Sequence, residues 1–265
     1  MAEVEGARQF QADGGAYDRF MGRYSRSLAP LFADWAGVEA GHDLVDVGCG
    51  PGALTETLVA RIAGGSVIAV DPSPSFVEAS AARCPDADVL LGRAEALPVA
   101  DGVVDRVLSQ LVLHFVTDAD EVAREFARVL RPGGVAAACV WDFAQGMEML
   151  RLFWDAALAV RPDAPDEATT LRFGGEREIA DLFTSAGLVE VEEHELTVAS
   201  RYQDFDELWS GFLAGIGPAG AFCVSLDESE REAVRSELFD RLDRPAGSFT
   251  LRAVARAARG RRPHD

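Results

Sequence analysis

Apolar residues from Tyr17 to Trp35 recur at helical spacing, and Gly22 and Pro30 interrupt them, which predicts two short helices after a polar arm over 1–16. The period then shortens. A strand is expected over 43–47, opening into the turn Gly48-Cys49-Gly50-Pro51-Gly52. After it come a helix around Leu54–Ile62, a strand at Val67–Val70 ending on Asp71, a helix around Ser75–Arg83 and a short strand at Val89–Leu91. Such β-α-β-α-β alternation calls for a parallel sheet with helices on both faces.

A fourth strand is expected at Arg106–Ser109, then a helix over Glu121–Leu130 stopped by Arg131-Pro132-Gly133-Gly134. Val135–Val140 is apolar throughout and predicts a fifth, buried strand. Helical stretches follow over 141–170, with a helix at Glu176–Ala186 ending on Gly187. In Leu188–Val198 apolar residues alternate with acids, as on a half-exposed edge strand. Residues 201–245 predict a helical insert, and Ser248–Ala258 a closing antiparallel strand.

Composition narrows the partners. The chain of 265 residues carries a formal net charge of −19, which repels phosphate backbones and anionic membranes, so no nucleic-acid partner is expected. Every basic residue is arginine, which excludes lysine Schiff-base chemistry. Cys49, Cys84, Cys139 and Cys223 form no CxxC pair and suggest neither a metal site nor a redox dithiol. Free thiols, the absence of a leader pattern and the absence of a long apolar run predict a cytoplasmic protein with no membrane span.

The strongest chemical signal is the buried strand that opens into Gly48-Cys49-Gly50-Pro51-Gly52, because glycines let a backbone approach a bound nucleotide closely. Gly48, Gly50 and Ala53 also satisfy the loose dinucleotide fingerprint, with Asp71 placed as a ribose-binding acid. Asp46 discriminates. A carboxylate two residues before the first glycine gains nothing beside a pyrophosphate and gains much beside a cation. A nicotinamide-dependent oxidoreductase is therefore the alternative reading of the same turn.

The segments VDVGCGPG (45–52), VDPS (70–73), GRAEALP (92–98), DRVLSQLVLHFV (105–116) and VLRPGG (129–134) resemble, in order and spacing, the class I S-adenosylmethionine-dependent methyltransferases. Within that class they are similar to the small-molecule subgroup of ubiquinone- and menaquinone-biosynthesis type. The resemblance implies an α/β, Rossmann-like doubly wound fold, whose seven-stranded sheet is mostly parallel with an antiparallel last strand. In a single domain it implies an N-terminal arm and helical cap over 1–40 and a cofactor-binding core over 41–145. Acceptor-side helices and a lid would occupy 146–247, and the last strand and tail 248–265. The implied cofactor is S-adenosyl-L-methionine and the implied partner a small-molecule methyl acceptor.

Carried over by position, Gly48, Cys49 and Gly50 would lie against the methionine half, with Asp46 backing its amino group. Asp71 would take the ribose hydroxyls, Pro72 and Ser73 would flank the adenine, Ala94 would offer its backbone to the ring edge, and Gln110 would line the methionine portion. Arg93 stands where the family has an acceptor for the adenine amine, and it has none to offer, so Glu95 is the candidate substitute. Tyr17 and Arg26 are candidates to close over the cofactor, an arginine pairing its carboxylate. His114, after the fourth strand, is a candidate general base; its other reading is a packed loop histidine. A protein that binds the cofactor for regulation without methyl transfer is a further alternative.

The stripe Tyr202, Phe205, Trp209, Phe212 and Leu213 reads first as core and second as an acceptor-binding lid, and Trp141, Phe143, Met147 and Met149 are equally open. The arginines at 252, 256, 259, 261 and 262 read as a solvated strand end rather than an anion site.

Overall fold

A computed structural model describes residues 18–264. Seven strands, β1 (Asp43–Val47), β2 (Ser66–Asp71), β3 (Asp88–Leu91), β4 (Val104–Gln110), β5 (Leu130–Trp141), β6 (Val189–Tyr202) and β7 (Phe249–Arg261), form one sheet in the order β3-β2-β1-β4-β5-β7-β6. The first five pair in parallel. β7 runs antiparallel to both β5 and β6, as expected for the closing strand. Strand order reverses between β1 and β4, and ligands of open α/β sheets bind at the carboxyl ends of strands beside such a reversal.

Side chains alternate across the pleat into two cores. Leu44, Val67, Leu108 and Ala137 face one. Val45, Val47, Val70, Val107 and Ala136 face the other. The α-helices are α1 (Arg23–Trp35), α2 (Ala53–Val59), α3 (Pro74–Arg83), α4 (Ala119–Val129), α5 (Glu148–Val160), α6 (Glu167–Thr170), α7 (Glu178–Ser185), α8 (Phe205–Leu213), α9 (Gly217–Ser225) and α10 (Glu228–Arg241). Asp118 caps α4 by accepting from the Glu121 N–H at 2.9 Å. Asp227 and Glu230 form a reciprocal capping box on α10. Among the described residues no single helix is long and apolar enough to cross a membrane.

Two boundaries differ from the sequence expectation. The break near Gly22 is present, since a π-helical turn over Asp18–Gly22 precedes α1, but Pro30 lies inside α1 and does not end it. Leu28, Ala29, Phe32 and Ala33 around it are fully buried, and that packing outweighs the hydrogen bond a proline cannot donate. Arg131–Gly134 is no turn between helix and strand but the start of β5, irregular in register where Val104 and Arg106 pair. Long pairing with β7 draws it into the sheet: Val135 faces Arg261 and the ladder runs to Trp141.

Candidate functional site

A cavity of about 140 Å³ opens at the carboxyl ends of β1, β2 and β4. The glycine turn forms one wall, and its conformation is dictated by what lies behind it. Gly48 has φ +72°, and a Cβ there would meet Val112 Cγ2 at 2.4 Å. The N–H groups of Gly48 and Cys49 both donate to the Val70 carbonyl, at 2.8 and 3.1 Å, tying the turn to β2. Asp71 completes the tie by accepting from the Gly50 N–H at 2.9 Å and from the Ser73 N–H at 2.9 Å. Burial raises the Asp71 carboxyl above its ordinary range, and these two donors oppose the rise.

Asp46 lies at the back of the cavity and is 1% exposed. Its Oδ2 accepts from the Thr55 hydroxyl at 2.7 Å, while Oδ1 has no partner among the described residues. Burial pushes its pKa up to about 7, with the Asp71 charge adding and the Thr55 bond subtracting. Gln110, also on the wall, donates from Nε2 to the Ser25 carbonyl at 3.1 Å, and its Oε1 has no partner among the described residues. Two buried acceptors without donors are costly. An ammonium group supplies the missing N–H donors and the missing positive charge; a pyrophosphate supplies neither.

The opposite wall holds Pro72, Ser73, Phe76, Arg93, Ala94 and Glu95. Arg93 Nε lies 3.4 Å from Glu95 Oε2, and Glu95 Oε1 accepts from the Thr117 N–H at 3.0 Å. Burial raises the Cys49 thiol far above its usual value, so that side chain fills space in the turn.

Behind Leu111 and Phe115, which wall both spaces, lies a narrower slot bounded by Phe20, Met21, His114, Trp141, Phe143 and Glu167. His114 sits edge-on to Phe143, centroids 5.2 Å apart, with Nδ1 sealed from solvent and unpartnered among the described residues. Burial lowers its pKa to about 3, so the imidazole is neutral.

Most expected site residues therefore converge. Asp46, Gly48, Cys49, Gly50, Asp71, Pro72, Ser73, Arg93, Ala94, Glu95 and Gln110 all wall the first cavity, and His114 walls the slot. Arg26 is exposed on α1 and absent from the wall, where Ser25 stands instead. Tyr17 lies outside the described residues. Ser25, Val112 and Glu167 line these spaces and Thr55 supports Asp46 without a local signal in the chain, except that Thr55 falls in the first turn of the helix after the glycine turn.

The open alternatives resolve by burial. Tyr202, Phe205, Trp209 and Phe212 are core, whereas Leu213 is 46% exposed. Trp141 and Phe143 wall the slot, and Met147 and Met149 are core. The β7 arginines face acids on β6: Arg259 lies 2.6 Å from Glu192, Arg256 2.9 Å from Glu195 and Arg261 3.1 Å from Glu190. These are cross-strand ion pairs, not a free anion site.

Residues 45–138 match a methyltransferase domain family. An uncharacterized methyltransferase of Mycobacterium tuberculosis (strain ATCC 25618 / H37Rv) is 42% identical over 128 residues, covering 48% of this chain and 49% of that protein. A second protein of the same strain is 30% identical over 218 residues, 78% of each chain. The chain thus spans about half the length of the first curated relatives it matches. Among solved structures, a Haemonchus contortus phosphoethanolamine N-methyltransferase 2 in complex with phosphomonomethylethanolamine and S-adenosylhomocysteine superposes with a TM-score of 0.61. Its identity is 15%, over 99% of this chain and 60% of that one.

Proposed function

The chain belongs to the class I S-adenosylmethionine-dependent methyltransferases, and from this premise we propose that it transfers a methyl group to a small, apolar or aromatic metabolite. The observation that carries the reading is a pair of buried acceptors, Asp46 Oδ1 and Gln110 Oε1, that line one cavity and have no partner among the described residues. Bound there, S-adenosylmethionine supplies a methyl group already activated on a sulfonium sulfur.

Asp46 and Gln110 hold the amino group of the methionine half, against the backbone of Gly48, Cys49 and Gly50. Asp71, its geometry set by two backbone donors, takes the ribose hydroxyls. Pro72, Ser73 and Ala94 flank the adenine, and Glu95 offers the acceptor that Arg93 lacks. Leu111, Phe115 and Val116 exclude water from the mouth, which strengthens every polar contact inside. Orientation of the acceptor supplies about 7–11 kcal/mol in reactions of this kind, so the chain's main task is to hold two molecules in line. His114, kept neutral by burial, serves as a hydrogen-bonding group on the acceptor side and accepts a full proton poorly.

Calorimetric titration with S-adenosylhomocysteine and, separately, with NADH tests the cofactor assignment. Micromolar binding of the first alone supports it. Binding of NADH alone overturns it in favour of an oxidoreductase.

A further inference from the structure

The slot behind Leu111 and Phe115 is apolar on most of its surface, yet three of its lining residues carry polar atoms that have no partner among the described residues. Trp141 is 2% exposed, and its Nε1 has no partner among the described residues. A buried indole N–H ordinarily has one. His114 Nδ1 is unpartnered as well. Glu167 is 3% exposed; its Oε2 accepts from Trp154 Nε1 at 2.7 Å, which anchors the carboxyl group, and no described residue donates to its Oε1.

The neighbouring acid is treated differently. Asp166, next in the chain, is neutralised by Arg151 at 2.8 Å and caps α6 through the Ala168 N–H. Glu167 has no such ion pair among the described residues, and burial pushes its pKa up to about 7. Among the described residues no arginine lines the slot.

Resting on the methyltransferase reading above, we propose that this slot is the acceptor subsite and that it selects an uncharged, flat aromatic ring bearing one hydroxyl group. Trp141 Nε1 donates to the hydroxyl oxygen, and the Glu167 carboxyl group accepts its proton-bearing side. Phe20, Phe143 and Ile216 contact the ring faces. A carboxylate or phosphate acceptor finds no cation there and meets the Glu167 charge. A ring without the hydroxyl leaves buried polar groups unsatisfied, and sites built to bind a hydroxyl reject such analogues strongly.

The test uses the full chain saturated with S-adenosylhomocysteine and three probes, 2-naphthol, naphthalene and 2-naphthoate, followed by calorimetry at pH 7.5. We expect 2-naphthol to bind at least tenfold more tightly than either of the others. Trp141→Phe should cut the advantage of 2-naphthol over naphthalene at least fivefold. Glu167→Gln, which keeps an acceptor for Trp154 Nε1, should cut discrimination against 2-naphthoate at least fivefold. Neither variant should change S-adenosylhomocysteine affinity more than twofold, because neither residue walls the cofactor cavity. Probe affinities within threefold of one another, absence of probe binding, or a ranking unmoved by both variants overturns the assignment. Failure of the wild-type chain to bind S-adenosylhomocysteine instead overturns the reading beneath it.

Discussion

Gly50 and Asp71 are joined directly: the Gly50 N–H donates to Asp71 Oδ2 at 2.9 Å. The turn after β1 and the acid that ends β2 are thereby one unit, so a change in either is felt by the other. Asp71→Ala removes the tie as well as the ribose acceptor. Hydrogen bonds to a charged group contribute about 1.5–3 kcal/mol each, so S-adenosylhomocysteine affinity should fall at least tenfold, with Asp71→Asn intermediate. Calorimetry on both variants, with circular dichroism to verify the fold, decides it; unchanged affinity would remove Asp71 from the ribose site.

Gly48 faces Val112 across the turn. A methyl at position 48 overlaps Val112 Cγ2 and must also adopt φ +72°. Gly48→Ala should cost about 2–3 kcal/mol, part overpacking and part left-handed backbone. Adding Val112→Ala relieves the overlap alone, so the double variant should recover about half the loss in urea denaturation. Full recovery would show that the backbone conformation costs nothing.

Asp46 makes stability and binding respond to pH in opposite directions. Its pKa rises on folding from 3.8 to about 7, so between those values the folded state holds more protons than the unfolded one. Stability therefore falls as pH rises through that window. Asp46→Asn removes this contribution, and the wild-type Tm should drop more steeply than that of the variant between pH 5.5 and 7.5. An ammonium ligand favours ionised Asp46, so S-adenosylhomocysteine should bind the wild type more tightly at pH 7.5 than at pH 5.5, and bind Asp46→Asn with little pH dependence. Equal pH profiles in the two proteins would contradict the assignment of Asp46 to the amino group.

Arg256 couples β7 to the loop after β5. Its guanidinium lies 3.2 Å from Asp142 and 2.9 Å from Glu195. Asp142 is 6% exposed, and its Oδ1 accepts from the Ala144 and Gln145 N–H groups. Arg256→Met leaves that buried carboxylate without its cation and should cost about 1–3 kcal/mol. Arg241→Met, which loses one exposed pair with Glu237, should cost under about 1 kcal/mol. Denaturant midpoints of the two variants test the difference, and equal losses would show that burial of Asp142 is irrelevant.

The strand that carries Asp46, the glycine turn, Asp71 at the end of β2 and the crossover topology that gathers them are legible in the chain alone. Those signals are short-range: a strand period, a glycine where φ must be positive, an acid at a strand end, and each is complete within a few residues. The arginines of β7 read as a solvated strand end from the net charge of −19 alone, whereas their pairing with Glu190, Glu192 and Glu195 shows only in the sheet. Packing between remote elements settles which distant residues finish the site. Ser25 meets Gln110 across 85 positions, and Glu167 shares a slot with Trp141 and His114. It also decided that Pro30 stays helical and that Arg26 lies off the cavity wall. Contacts across such separations follow from how α1, α6 and the sheet pack together, and packing of that kind leaves no periodic trace along the chain.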